Sequence, residues 1–391
     1  RLQALGIGNI RVLAASEGPD QDESWFALGA PTPWRILPSM QPSPGVYNEA
    51  VVAGLDFLLA EMAKRDMTAV LMLGNMWPWS GGFAQYVSWA ASDRIPYPPP
   101  AAGGSWDGYQ QHARCDRHTA MQSAMALAHA PPALPGAAAL GAMPEAATPE
   151  AVTLVGPPPP PPPPPPAPAP PPPPSPRRYT KEFFLRSEPR RLYAEHVRYI
   201  VQRTNSLTGV AYRDDPTIMA WELANEPRAM KAVAGYRRWL NQSAVLIKSL
   251  DPHHLVTTGT EGRTPFARSH LGTDFLHDHS YAAIDYATVH VWAQRWGWAA
   301  HGVEAAATMT RRYVALHVQL ASRLNKPLVL EAVSFPRDAN GTGPGGGTAG
   351  RDAFLRSVLG HALSRTVRVV DGPASQEETR VQGVGIWAWA G

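Results

Sequence analysis

Hydrophobic positions along the chain fall into two alternating patterns, short apolar runs and longer segments with helical spacing. In 47–66, for example, Val51, Leu55, Leu59 and Met62 lie on one face of a predicted helix. The predicted strands are 7–15, 68–73, 217–223, 254–259, 286–291, 327–330 and 384–389, and the predicted helices are 47–66, 190–204, 232–250, 303–324 and 351–365.

This alternation predicts a parallel sheet covered by helices. Several predicted strands end in polar or aromatic residues, which in a closed barrel would share the face where active sites form. These residues are Asn75, Glu222, Asn225, Glu226, Glu261, His290, Trp292, Glu331 and Trp387. We therefore predict an α/β fold, a (β/α)8 TIM barrel. A doubly wound open sheet is the alternative, but such sheets usually carry a glycine-rich phosphate loop after the first strand, and this sequence has none.

A low-complexity segment interrupts the pattern. Residues 97–178 are rich in alanine and proline, and 157–166 is an unbroken proline run. Such a tract favours the extended polyproline II conformation and has no core of its own. We predict barrel sequence in 1–96 and 179–391, with 97–178 as a disordered insertion. A spacer is the interpretation we favour, and a ligand for proline-binding modules is the alternative.

Composition narrows the function classes. The 391 residues have a net charge of +3, and the basic residues are scattered, so no nucleic-acid partner is expected. The single cysteine, Cys115, permits neither an internal disulfide nor a cysteine-based metal site. The sequence has no apolar run of membrane-spanning length, so we expect no membrane partner. Thirteen tryptophans offer flat faces suited to sugar rings, although core packing is the default interpretation for any one of them.

The strongest chemical signal lies after the third predicted strand. The apolar run 218–221 leads into Asn225, Glu226 and Pro227. Proline lacks the backbone N–H that a strand requires, so Pro227 ends the strand and leaves Glu226 at its carboxyl end. A carboxylate in a surface turn is the plain alternative.

A second carboxylate, Glu331, closes the apolar strand 327–330. A glutamate in such a place is costly unless a partner compensates its charge, and Arg11 on the first strand is a candidate partner. Glycosidases need one protonated carboxyl as acid and one ionised carboxylate as nucleophile. A separation of about 5 Å between the two would predict retention of the anomeric configuration.

On these residues the chain resembles glycoside hydrolase family 5, and within it the endo-β-1,4-mannanases of plants, fungi and bacteria. The resemblance covers nearly everything except the insertion. The matching segments are 43–59, 74–89, 208–228, 254–262, 272–298 and 326–338.

The resemblance implies a (β/α)8 barrel and a retaining mechanism in which Glu226 is the acid/base and Glu331 the nucleophile. It also implies that Asn225 hydrogen-bonds the sugar 2-hydroxyl and that Arg11 braces the nucleophile. Further contacts near the sugar are implied for His290, Trp292, Trp387, Asn75 and Trp77. His290 and Trp292 would lie near the −1 subsite, Trp387 would form its floor, and Asn75 and Trp77 would line the minus subsites.

Two departures from the family pattern stand out. The family usually has an acidic residue, an aromatic residue and a glycine after the nucleophile, whereas Ala332, Val333 and Ser334 follow Glu331 here. We therefore expect a shift in the local backbone. The strand that carries Arg11 matches the family's second, so we also expect that the barrel lacks its first strand.

We expect a monomeric, secreted enzyme that acts on β-mannan polysaccharide and needs no metal or cofactor. Secretion is inferred from the polymeric substrate alone. A related β-1,4-glucanase and a mannan transglycosylase are alternatives within the enzyme class. A non-catalytic glycan-binding or wall spacer protein is the alternative from another class. For single residues, core packing of His290 and structural ion pairs of Glu222 and Glu261 are the alternatives.

Overall fold

The structure, a computed structural model, describes residues 1–20, 36–95, 179–263, 272–337, 347–363 and 381–387. The predicted insertion 97–178 therefore lies outside the described residues, as do the last two positions of the predicted strand 384–389. The division of the chain into barrel and insertion remains a prediction.

Strands and helices alternate along the described residues as the hydrophobic pattern predicts. The strands are β1 (Asn9–Leu13), β2 (Thr68–Met72), β3 (Ile218–Glu222), β4 (Leu255–Thr257), β5 (Ala287–Trp292), β6 (Leu328–Ser334) and β7 (Val381–Ile386). The helices are α1 (Glu49–Ala63), α2 (Gly82–Ala91), α3 (Glu182–Leu185), α4 (Ser187–Val201), α5 (Val233–Leu250), α6 (Phe275–His279), α7 (Val303–Arg323) and α8 (Ala349–Leu363). Each predicted element has a counterpart, whereas the sequence pattern missed α2, α3 and α6.

All strand pairings are parallel. The described strands form a four-stranded sheet in the order β1-β2-β3-β4 and a three-stranded sheet in the order β5-β6-β7. Because neighbouring strands run in one direction and follow chain order, their carboxyl ends lie along one edge of each sheet. The residues that follow those ends are thus brought to one side of the fold, as the sequence predicted.

Aromatic packing fixes the helices against the first sheet. The rings of Phe83 on α2, Phe183 on α3 and Trp239 on α5 pack within 6 Å of one another, and all three are buried. Tyr193 on α4 joins the same cluster, and its hydroxyl donates a 2.7 Å hydrogen bond to the carbonyl of Leu223. This bond ties the helical layer to the segment that leaves β3, directly before the predicted site.

A second core lies under β5, β6 and β7. Val314 and Val318 on α7, with Phe354 and Val358 on α8, pack in one cluster with the buried residues of these strands. Among the described residues, no helix is both long enough and apolar enough to span a bilayer.

Candidate active site

Backbone hydrogen bonds hold Glu226 directly beyond the end of β3. Its N–H donates to the carbonyl of Gly259, which follows β4, at 2.9 Å. Glu226 adopts φ 53°, a left-handed conformation that is rare for residues other than glycine. Gly259 is also left-handed at φ 74°, and a Cβ there would lie 2.1 Å from a side-chain oxygen of Glu222. The turn after β3 therefore needs glycine at position 259 in order to approach this closely.

Three N–H groups converge on the Glu226 carboxylate, which is almost completely buried. The indole of Trp77 donates to Oε2 at 2.7 Å, and the indole of Trp292 donates to Oε1 at 2.6 Å. His290 Nδ1 lies 2.9 Å from Oε1. Burial acts to raise the pKa of Glu226, but the bond from His290 and the nearby positive charges outweigh it, so the pKa lies below its usual range.

His290 bridges the two predicted catalytic carboxylates. Its Nε2 lies 3.3 Å from Glu331 Oε2, while Nδ1 contacts Glu226. The ring is fully buried, which alone would lower its pKa, but the two carboxylates raise the pKa of His290 to about 9. An imidazolium that donates from both nitrogens fits this arrangement, whereas simple core packing of His290 does not.

A β-bulge positions Glu331 on β6. Along the pairing with β5, Leu330 lies opposite Val289 and Ala332 lies opposite His290, so Glu331 is the extra residue. On the other side, a Cβ on Gly385 of β7 would lie 2.3 Å from the Glu331 carbonyl oxygen. The bulge and this close approach fix the backbone around Glu331, and the expected shift relative to the family pattern remains a prediction.

The two oxygens of Glu331 differ in their surroundings. Oε2 faces His290 and lies 3.7 Å from Arg11 Nε. Oε1 is buried, and no hydrogen-bond partner for it exists among the described residues. An unpartnered buried carboxylate oxygen is costly, and such atoms occur where a ligand completes the site.

Arg11 contacts Glu331, as predicted, but its main partner is Glu222. Its Nε and Nη2 donate to the two oxygens of Glu222 at 2.7 and 2.5 Å, in a bidentate pair. Nη2 also donates to Asn225 Oδ1 at 3.0 Å. Burial and the charge of Glu331 raise the pKa of Glu222 to about 7, against the opposing effect of Arg11. Glu222 thus has the ion-pair role that we considered for it.

Asn225 is oriented by its neighbours. Its Oδ1 accepts from Arg11, and its Nδ2 donates to Asn75 Oδ1 at 3.1 Å. Asn75 in turn donates to Ser80 Oγ at 2.9 Å. Because one amide hydrogen of Asn225 is used in this way, the other remains to face a ligand.

Trp387 closes one side of the site. Trp387 directly follows β7, and its backbone N–H donates to the Val333 carbonyl at 3.0 Å. Its ring meets Trp292 edge to face with centroids 6.0 Å apart, and 44% of the residue is exposed. An exposed indole next to Trp292, which itself binds Glu226, suits the apolar face of a sugar ring.

The structure therefore brings all nine sequence-predicted site residues into one connected group. The surroundings of Glu226 lower its pKa, although the acid role implied for it requires a proton. Its three N–H donors and nearby positive charges favour the carboxylate, and sequence spacing does not reveal such donors.

Sequence analysis also missed two arginines beside Glu226. The guanidinium of Arg228 lies over the Trp77 ring, 4.6 Å from its centroid, and Arg295 lies over the Trp292 ring at 4.8 Å. Arg228 also pairs with Glu261, its Nε lying 2.7 Å from Oε2, which gives Glu261 the ion-pair role considered above. The position of Arg228 two residues after Glu226 was the available signal for the first of them.

Two buried carboxylates at the ends of parallel strands, one of them with an unpartnered oxygen, fit the pair of acidic residues that glycoside hydrolases use. A family model described as glycoside hydrolase family 5 β-mannosidase-like matches residues 1–125 and 175–391. The chain belongs to this family.

Named relatives and solved structures agree with this assignment. The putative mannan endo-1,4-beta-mannosidase 9 of Oryza sativa subsp. japonica is 30% identical over 82% of this chain and 60% of its own length. Mannan endo-1,4-beta-mannosidase 1 of Solanum lycopersicum is 29% identical over 82% of this chain and 61% of its own length. The chain thus spans about three fifths of the length of these relatives.

The glycoside hydrolase family 5 mannosidase from Rhizomucor miehei superposes with a TM-score of 0.68 at 27% identity, over 99% of this chain and 73% of that one. The Thermotoga petrophila endo-1,4-beta-D-mannanase superposes with a TM-score of 0.59 at 21% identity, over 99% of this chain and 81% of that one, and shows the fold alone. The predicted fold class, a (β/α)8 barrel, is confirmed by these structures.

Proposed function

We propose that this protein is a retaining β-mannanase that hydrolyses β-1,4-linked mannan, glucomannan or galactomannan backbones by double displacement. One observation carries the proposal: Glu226 and Glu331 face the two nitrogens of His290, and Glu331 Oε1 is buried without a partner. The mannanase names of the relatives support the substrate class.

In the first step, Glu331 Oε1 would attack the anomeric carbon while Glu226 protonates the departing glycosidic oxygen. In the second step, Glu226 would take a proton from water as that water displaces Glu331 from the sugar. Asn225 would donate its remaining amide hydrogen to the sugar 2-hydroxyl, and Trp387 would support the ring from below.

His290 supplies the proton that the first step requires. In the free site the proton is held on its imidazole, 2.9 Å from Glu226 Oε1, because the pKa of His290 is raised to about 9. Transfer along this bond when substrate enters would convert Glu226 into the acid. The two groups titrate as a coupled pair, and the loss of their shared proton would set the alkaline limit of activity.

A second candidate concerns the position of cleavage. The matching family model is described as β-mannosidase-like, and the Rhizomucor miehei structure is named a mannosidase, so release of single mannose units from chain ends is the alternative to internal cleavage. The pattern of products separates the two, because internal cleavage lowers viscosity early and an exo-acting enzyme releases mannose alone.

The deciding experiment measures reducing-sugar release from β-mannan and from carboxymethylcellulose by the 391-residue chain. Glu226→Ala and Glu331→Ala are assayed beside it, with Glu61→Ala, at a half-buried glutamate on α1 that pairs with Lys64 and Arg65, as the control. We expect activity on mannan that the first two substitutions abolish and the control retains. NMR of the first products reports retention or inversion. A folded chain inactive on both polymers would contradict the proposal, and activity on carboxymethylcellulose alone would favour the glucanase alternative.

Because its substrate would be an extracellular polymer, we also propose that the protein acts outside the cell. Detection of mannan-degrading activity in the culture medium of the producing cells would test this.

A further inference from the structure

The two tryptophans that hydrogen-bond Glu226 share an unusual feature. Each donates its indole N–H to a different oxygen of the carboxylate, and each carries a guanidinium over its ring. Trp77 has Arg228 at 4.6 Å, and Trp292 has Arg295 at 4.8 Å. Both distances lie within the range in which a cation is attracted to an aromatic face.

A cation over an indole face draws electron density from the ring, so it makes the indole N–H a better donor. The same positive charge also acts on the carboxylate directly, since neither arginine is far from it. Both effects lower the pKa of Glu226, because each favours its ionised form. The buried setting strengthens both effects, because little water screens charges there.

We propose that Arg228 and Arg295 are positioning residues that act through Trp77 and Trp292 to keep the shared proton on His290 rather than on Glu226 until substrate binds. The inference rests on the proposed function, since it concerns the residue assigned there as acid/base. Neither arginine is required to touch the sugar for this role.

Other charged groups surround Glu226 and act in the same region. The groups, in order of their elements, are Arg11 on β1, Glu222 and Arg228 on or after β3, Glu261 after β4, His290 and Arg295 on or after β5, and Glu331 on β6. Among these groups, Arg228 and Arg295 place their charge over the faces of the indoles that bind Glu226, whereas His290 meets the Trp292 ring edge to face. The pKa of Glu226 is lowered by their charges in addition to that of His290.

Arg295→Gln gives the simpler of two tests. Loss of the positive charge raises the pKa of the proton shared by His290 and Glu226. The basic limb of the kcat/KM profile should therefore move to higher pH by about half a unit. Arg295→Lys keeps the charge and should restore most of the shift. Arg65→Gln, which removes an exposed guanidinium beyond the end of α1, should leave the limb in place.

Arg228 requires a double variant, because Arg228→Gln alone would leave buried Glu261 without its partner. Arg228→Gln combined with Glu261→Gln removes the ion pair with no change of net charge. The Glu261 carboxylate itself raises the pKa of the shared proton, so Glu261→Gln alone is measured beside the double variant. The difference between the two basic limbs reports the loss of the cation from the face of Trp77.

A second readout does not depend on activity. The indole Nε1–H signals of Trp77 and Trp292, assigned with Trp→Phe variants, report by NMR the loss of the proton shared by His290 and Glu226. We expect the midpoint of this titration to rise in Arg295→Gln, and to be higher in the double variant than in Glu261→Gln. An unchanged midpoint in both folded variants would overturn the inference. If the chain hydrolyses no mannan while the midpoints move, the proposed function fails, and only the effect of the two arginines on the shared proton is supported.

Discussion

At the scale of single residues, His290 is the charged group that links the two carboxylates of the site. It is fully buried and donates toward two carboxylates, so its charged form is stabilised in the folded chain more than in the unfolded one. A group whose folded pKa lies above its unfolded value stabilises the fold below the unfolded value. For His290, the contribution is complete below about pH 6.5 and is lost as pH rises through about 9.

Replacement of His290 by glutamine should remove this pH dependence. We expect the free energy of unfolding of the unsubstituted chain to fall by ~3 kcal/mol between pH 6.5 and 9, and that of His290→Gln to fall far less. Denaturant unfolding at a series of pH values measures the difference. His301→Gln, at an exposed histidine, serves as control, and parallel curves for all three proteins would contradict the expectation.

The catalytic carboxylates could be predicted from the sequence, whereas the partners of two arginines could not. Glu226 and Glu331 could be found because each follows a predicted apolar strand, where a buried charge is costly unless a partner compensates it. That Arg11 gives its bidentate pair to Glu222 could not be found, because the choice depends on distances across three strands. Arg295 left no signal, since its effect acts through the face of a neighbouring tryptophan.

At the scale of elements, one buried carboxylate joins α1 to the segment after α4. Asp56 on α1 accepts two hydrogen bonds from Arg203 at 2.9 and 2.8 Å, and others from Ser206 and from the Tyr212 hydroxyl. Burial acts to raise the pKa of Asp56, but these donors lower it to about 2. The ionised form therefore stabilises the fold above about pH 4, and this contribution is lost as pH falls toward 2.

Asp56→Asn should destabilise the chain by about 3 kcal/mol at neutral pH, because Arg203 would lose its charged partner in a place with little water. Chemical denaturation of the variant and of the unsubstituted chain gives this value. Asp214→Asn is the control, since Asp214 is exposed and pairs with Arg213 at 3.6 Å, and it should change stability by less than about 0.5 kcal/mol. Equal stabilities for the two variants would refute the role of Asp56.

The presence of strands and helices could be predicted from the sequence more reliably than their ends and bulges. Apolar periodicity located β6 but ended it at Leu330, whereas the strand continues to Ser334. The extension follows from pairing with β5 and β7, which lie far away in the sequence. The bulge at Glu331 has the same origin, since a register shift exists only between two paired strands.

At the scale of the whole molecule, the insertion 97–178 separates two parts that jointly form the first sheet. β2 precedes it and β3 follows it, yet the two strands are direct neighbours. The sequence could predict this, because helices and strands resume their alternation after the proline tract.

Excision of 97–178, with a short glycine–serine linker in its place, should preserve the fold. Loop closure costs change only slowly with loop length, so we expect mannan hydrolysis within about twofold and a cooperative melt. Reducing-sugar assays and differential scanning calorimetry would measure both. Excision of 157–176 alone is the control for the linker, and loss of the cooperative transition in the larger excision would show that the insertion contributes to folding.

The left-handed backbone at Glu226 bears on attempts to make this chain more resistant to heat. A side chain at φ 53° carries strain of order 1 kcal/mol, which glycine would release. Glycine would also remove the carboxylate that accepts from Trp77, Trp292 and His290, and the loss of a buried charged partner costs more, about 3 kcal/mol. Selection of random variants for survival of heating would thus be expected to retain Glu226 even without an activity screen.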